Sequence, residues 1–269
     1  MEVIKYKNIY VFFKVVLAGA FLALFTACGF EVSEDVPTHK IRFHTHVVGN
    51  AETDVVTVTV NIRDGGGLFS DYVELSGSEN IQAIFNGETK TLIYRSNFFE
   101  SLVGKFKYRV RFNAGVSSGV DTASVVLNRK DGSSFLTDVT LPEQFSITSP
   151  VNDTVYFFGN NESISTSWDV GLTPDNFNLR YIYSCSQSNE TTISYINQYA
   201  FFEPGVSELK VDDLMMFLSD DYTVNNTECN VTVSIRNQLY EQAVNPSFAG
   251  GSTKSTMINS RNVSVVPLN

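Results

Sequence analysis

Val55-Val56-Thr57-Val58-Thr59-Val60-Asn61-Ile62 alternates without a break. Val56, Val58, Val60 and Ile62 project to one side, and Thr57, Thr59 and Asn61 to the other. That is the period of a strand with one buried face, not of a helix. The same period runs outward in both directions. Ile41, Phe43, Thr45 and Val47 share a face before it. Phe106, Tyr108, Val110 and Phe112 do so after it, against Lys105, Lys107, Arg109 and Arg111. Weaker strands fall at 72–76 and 81–85. Phe85-Asn86-Gly87-Glu88 is a hairpin signal, because Asn-Gly accepts the positive φ angles of a type I′ turn. Asp131-Gly132, between the alternating runs 124–128 and 135–141, is a second one. Seven or eight strands with regular turn signals predict a β-sandwich over residues 39–141.

Leu141-Pro142-Glu143 marks a boundary. Beyond it, Phe145-Ser146-Ile147-Thr148-Ser149-Pro150 is a strand halted by proline. Further strands are expected near 154–158, 163–168, 178–185, 191–202, 206–211, 229–236 and 256–266. Asp212–Leu218 is the single helix candidate, with Asp212 placed to cap it. Residues 142–269 therefore form a second β unit. Its Ile147-Thr148-Ser149-Pro150 entry, Trp168 on an early strand and inward Tyr181 and Tyr183 resemble fibronectin type III and related immunoglobulin-like sandwiches. The resemblance implies an all-β chain of two tandem immunoglobulin-like β-sandwich domains.

The first 27 residues have a different character. Lys5, Lys7 and Lys14 precede Val15–Ala27, thirteen residues without a charge. That run is too short for a bilayer core, which needs about 20 residues, and suits the apolar segment of a signal peptide. The stretch Leu24-Phe25-Thr26-Ala27-Cys28 resembles the lipobox of bacterial lipoproteins. The resemblance implies cleavage after residue 27, palmitate and related acyl chains on Cys28, and, with Gly29 rather than Asp behind it, sorting to the outer membrane. Residues 28–38 then read as a lipidated tether, and the partner on that side is the membrane itself. Export also implies an oxidising compartment. Cys185 and Cys229, both on core faces of alternating segments, are expected to form a disulfide there.

Composition narrows the function. The chain has 269 residues, 43% hydrophobic and 18% charged, which is globular. A net charge of -10 makes the chain a poor candidate for nucleic acid, whose binding proteins are expected to be basic. His44 and His46 share a strand face, but zinc needs three or four ligands, and no metal or cofactor is expected. Gly115-Val116-Ser117-Ser118-Gly119 matches a nucleophile motif without the following helix or a downstream His. Asp64-Gly65-Gly66-Gly67 has no lysine for a phosphate loop. Asp212-Asp213 and Asp220-Asp221 lack calcium-loop spacing. No catalytic residue is assigned. The aromatic surplus, 21 Phe and 12 Tyr, directs attention to Phe98, Phe99, Tyr199 and Phe202 as a candidate binding surface. The expectation is a non-catalytic binding or structural module with an envelope protein or a glycan as partner. A carbohydrate-binding accessory protein or adhesin is the alternative, and a metal-dependent hydrolase the third reading.

Overall fold

The computed structural model describes residues 31–65, 72–95, 107–113, 121–169, 177–187, 190–192, 206–217 and 227–268. Strands of the first half are β1 (Glu31–Val32), β2 (Ile41–Asn50), β3 (Val55–Asp64), β4 (Val73–Glu74), β5 (Asn80–Phe85), β6 (Glu88–Thr91), β7 (Ile93–Tyr94), β8 (Tyr108–Phe112), β9 (Thr122–Asn128) and β10 (Ser134–Thr140). The second half adds β11 (Ile147–Ser149), β12 (Val155–Phe158), β13 (Ser163–Trp168), β14 (Phe177–Gln187), β15 (Glu190–Thr192), β16 (Val206–Lys210), β17 (Thr227–Gln242) and β18 (Gly250–Pro267).

In the first half, β2, β3, β8 and β7 lie side by side, facing a sheet ordered β10-β9-β5-β6. In the second, β11-β13-β16 faces β15-β14-β17-β18, with β12 parallel to the end of β18. Both orders are those of an immunoglobulin-like sandwich, in which the first, second and fifth main strands share one sheet and the third, sixth and seventh the other. The expected all-β sandwich architecture is present in each half. The turn chemistry explains the hairpins. Asn86 and Gly87 take φ of 48° and 77° between β5 and β6, and Gly132 takes 84° between β9 and β10. The alternating residues fill the cores. Val56, Val58, Val60 and Ile62 are completely buried, as are Phe43, Phe85 and Phe112. Phe85 and Phe112 meet across the two sheets with ring centres 5.9 Å apart. In the second core, Trp168, Tyr181 and Tyr183 point inward as expected, and Thr166 and Tyr181 share a 2.9 Å hydrogen bond across the sheets.

Three features differ from the sequence reading. The predicted helix over 212–218 is a 3-10 turn, Val211–Phe217, whose Asp212 accepts a hydrogen bond from Gly159 N–H at 2.7 Å rather than capping its own turn. The tether assigned to residues 28–38 is folded from Glu31 onward: β1 pairs in parallel with β4, two 3-10 turns follow, and Ser33 and Val36 are buried. The last hairpin also overruns the boundary set at residues 141–142. Strand β18 pairs with β17 over Thr253–Val265, and its first nine residues, Gly250–Ile258, also pair in parallel with Arg42–Asn50 of β2. One continuous sheet, β15-β14-β17-β18-β2-β3-β8-β7, therefore runs through both sandwiches.

That junction is densely tied. Gln242 and Thr140 exchange two hydrogen bonds, at 2.6 and 2.8 Å, and Ser255 Oγ donates to the same Thr140 carbonyl at 2.6 Å. Asn259 Nδ2 donates to the Phe145 carbonyl at 2.9 Å. Met257 is fully buried, and Phe43 and Phe248 stack with centres 4.9 Å apart.

Candidate functional site

The folded N-terminal segment ends in a buried polar latch. Glu79 precedes β5 and Arg129 follows β9, so neighbouring strands bring them together from 50 positions apart. Arg129 Nε lies 2.8 Å from Glu79 Oε1; the guanidinium side chain is 8% exposed and the carboxylate side chain 0%. Arg129 Nη2 donates to the carbonyls of Ser33, at 2.7 Å, and Val36, at 2.9 Å. Ser33 Oγ donates to Glu79 Oε2 and accepts from Ser76 N–H at 2.9 Å. At the rim, Lys130 Nζ pairs with Glu34 at 2.7 Å, and that carboxylate holds the Lys130 ammonium pKa above its usual value. Asp131 caps its own turn through Ser133 N–H and Oγ, which holds its carboxyl below the usual range. An open cavity of about 710 Å³ is lined here by Glu34, Asp35, His39, Arg129, Lys130 and Asp131, among others. Burying an ion pair is costly unless further hydrogen bonds complete it. Here the peptide carbonyls of Ser33 and Val36 take up Nη2, while Nη1 is buried without a partner among the described residues, and the pair binds a chain segment to the sandwich.

His44 and His46 do share a face of β2, and β18 lies beside it in the same sheet, so that its side chains on that face reach both imidazoles. His44 Nδ1 is 2.9 Å from Ser252 Oγ, and His46 Nε2 is 3.1 Å from Thr256 Oγ1. Both imidazoles are held below their ordinary pKa. Burial is the main cause for each, followed by Arg63 and Arg42 at His44, and by Lys254 and Arg236 at His46, which falls to about 4. They serve as neutral hydrogen-bonding groups across the β2–β18 seam. Among the described residues, no three His, Cys, Asp or Glu side chains cluster to hold a metal.

Cys185 and Cys229 form a disulfide. They face each other in register on β14 and β17, and Cys229 is also the partner of Val265 near the end of β18. Of the other residues singled out, Cys28, Phe98, Phe99, Tyr199 and Phe202 lie outside the described residues, as does Ser117. The latch was missed in sequence because Glu79 and Arg129 sit in turns without periodicity. The one legible sign was Arg129-Lys130-Asp131-Gly132, which reads as a hairpin turn and hides the role of its first residue.

No protein-family model matches the chain, and no curated protein matches it. Several solved structures resemble it distantly. The FN1–FN3 domains of chicken CNTN1 align at 12% identity and a TM-score of 0.32, covering 87% of this chain and 69% of that one. The N-terminal Ig1-2 module of Drosophila receptor protein tyrosine phosphatase DLAR aligns at 12% identity and 0.29, over 84% and 99%. Salmonella alpha-2-macroglobulin aligns at 10% identity and 0.26, over 87% of this chain; the match spans 15% of that chain's length. Likenesses this distant say nothing of activity, and the immunoglobulin-like class rests on the strand orders above.

Proposed function

We propose that the chain is a lipid-anchored, non-catalytic binding or structural module of the outer bacterial envelope, acylated on Cys28 and exposed to partners along its two sandwiches. The observation that carries this reading is the shared strand β18. It fuses two immunoglobulin-like units through one sheet and so makes a stiff body, not two beads on a linker. The lipobox-like stretch ending at Cys28 precedes the latched end of that body by a few residues. A stiff, anchored body suits holding a binding surface at a fixed place in the envelope. Fold alone does not choose the partner; an envelope protein is the first expectation and a glycan the second.

The test begins with cells fed labelled palmitate. The wild-type protein is expected to carry the label and to fractionate with the outer membrane, whereas Cys28→Ala is expected to lose the label and leave that fraction. An unlabelled wild-type protein would overturn the anchoring. In-cell crosslinking, compared between wild type and Cys28→Ala, is expected to yield a defined adduct that depends on the anchor. A screen of purified protein against envelope glycans reads the glycan case. A substrate turned over by the purified protein would remove the non-catalytic reading.

A further inference from the structure

We propose that the latched pole, residues 31–40 with 129–131, lies directly against the membrane, and that the disulfide-closed pole of the second sandwich is the end held farthest from it. This rests on the acylation of Cys28 proposed above. The inference follows from how near the described fold comes to Cys28 in sequence. If the anchor is on Cys28, three residue steps separate it from Glu31. At full extension three steps reach no more than about 11 Å. Glu31 and Val32 are already paired with Val73 and Glu74, and Ser33 and Val36 are pinned by Arg129. An anchor at Cys28 would therefore leave at most those three steps as slack before the chain is held to the sandwich.

Strand direction then gives the molecule its orientation. Strand β2 starts at Ile41, directly after the latched segment, and its Arg42 is the register partner of Gly250. Strand β18 therefore leaves from the latched pole. Its 18 residues run about 60 Å at the usual strand rise. They end at Pro267, beyond Val265, the register partner of Cys229. Cys185 and Cys229 accordingly close the opposite pole. The rim of the latched pole presents Lys40, Lys130, Glu34, Asp35 and Asp131, both signs together, and none of the exposed large apolar side chains falls within residues 31–40 or 129–131. Those described side chains suit contact with head groups, and zwitterionic lipid better than a strongly anionic one.

The measurement is energy transfer to acceptor-labelled head groups in phosphatidylethanolamine–phosphatidylglycerol vesicles. The protein starting at Cys28 is joined to a thioester lipid by ligation at that N-terminal cysteine, which an internal thiol cannot complete, and this makes the pole geometry readable whether or not cells acylate the residue. A donor is placed at His39→Cys or at Glu228→Cys. Transfer from position 39 is expected to exceed that from position 228 by about threefold or more, given a separation near 60 Å. Insertion of ten Gly/Ser residues between Phe30 and Glu31 is expected to lower transfer at 39 without touching the latch. Glu79→Gln, which frees the segment, is expected to do the same. Equal transfer at the two positions, higher transfer at 228, or an insertion without effect would overturn the proposal. A protein that takes no palmitate in cells would overturn the anchoring reading instead.

Discussion

Gly250 and Gly251 open β18 with φ of 139° and 143°, a region nearly closed to residues with a side chain. Their surroundings differ. A Cβ on Gly250 would meet open space, whereas one on Gly251 would fall 2.0 Å from the Phe43 carbonyl oxygen. Backbone cannot give way there without breaking the β18–β2 pairing. Gly250→Ala is expected to cost about 1–2 kcal/mol from strain alone, and Gly251→Ala about 3 kcal/mol or more. Urea midpoints at an unchanged slope would measure both. The latch is a second residue-scale dependence. Arg129→Ala strands a fully buried carboxylate and is expected to cost about 3 kcal/mol or more, whereas Lys130→Ala removes only a solvent-exposed pair and is expected to leave the midpoint almost unchanged. His46 gives a pH signature. Its imidazole titrates near 4 when folded and near 6.5 when unfolded. The unfolded chain therefore takes up the proton first as pH falls. The stability held above about pH 6.5 is lost between there and pH 4, and is gone below it. Allowing for its partial exposure, this amounts to about 1–2 kcal/mol. His44, lowered for the same chief reason, adds in the same direction. Denaturation midpoints of wild type and His46→Gln at pH 7 and pH 4.5 should differ by less in the variant.

At the scale of elements, legibility depended on whether a signal is local. The period-two runs and the Asn86-Gly87 and Asp131-Gly132 turns made β2, β3, β5, β6, β9 and β10 readable, because each strand's buried face and each turn's φ are written in adjacent residues. The seam between β2 and β18 was not readable. It pairs residues more than 200 positions apart, and polar Ser252, Thr256, His44 and His46 line it where an apolar stripe would have announced a contact. The 3-10 turn at 211–217 is short, and Asp212 there serves Gly159 of the preceding turn instead. The latch was hidden for the same reason as the seam. The disulfide is the element whose pairing was legible, since only two cysteines follow residue 28. It encloses 44 positions, for which chain entropy gives about 4 kcal/mol as a ceiling. The double variant Cys185→Ala/Cys229→Ala is expected to lose up to that amount. Reduction of the wild type should bring its urea midpoint toward the variant's, because both remove the same constraint on the unfolded chain. A variant as stable as the oxidised wild type would show that the β14–β17 pairing alone holds that pole.

For the whole molecule, the shared sheet sets cooperativity. Tandem sandwiches joined by a linker unfold as separate units. Here β18 supplies an edge partner to β2 in the first sandwich while completing the second with β17 and β12. Neither sandwich can release β18 without exposing paired backbone in the other, and Thr140, Gln242 and Ser255 would lose their bonds at the same moment. The intact protein is therefore expected to melt in one transition, with calorimetric and van't Hoff enthalpies agreeing. A fragment ending at Leu141 would keep β2–β10 but present the full hydrogen-bonding edge of β2, which is ten residues long. Such an edge is a template for pairing with another chain. The fragment is expected to unfold at lower urea than the intact protein and to self-associate with rising concentration. Adding residues 227–267 in trans should restore its midpoint in part, because that hairpin carries the missing partner. Two separated transitions in the intact protein, or a monomeric fragment of undiminished stability, would mean that β18 only borders the first sandwich. Coincidence of the transitions would mean that a force or ligand applied at the disulfide pole is felt at the latch through one continuous sheet.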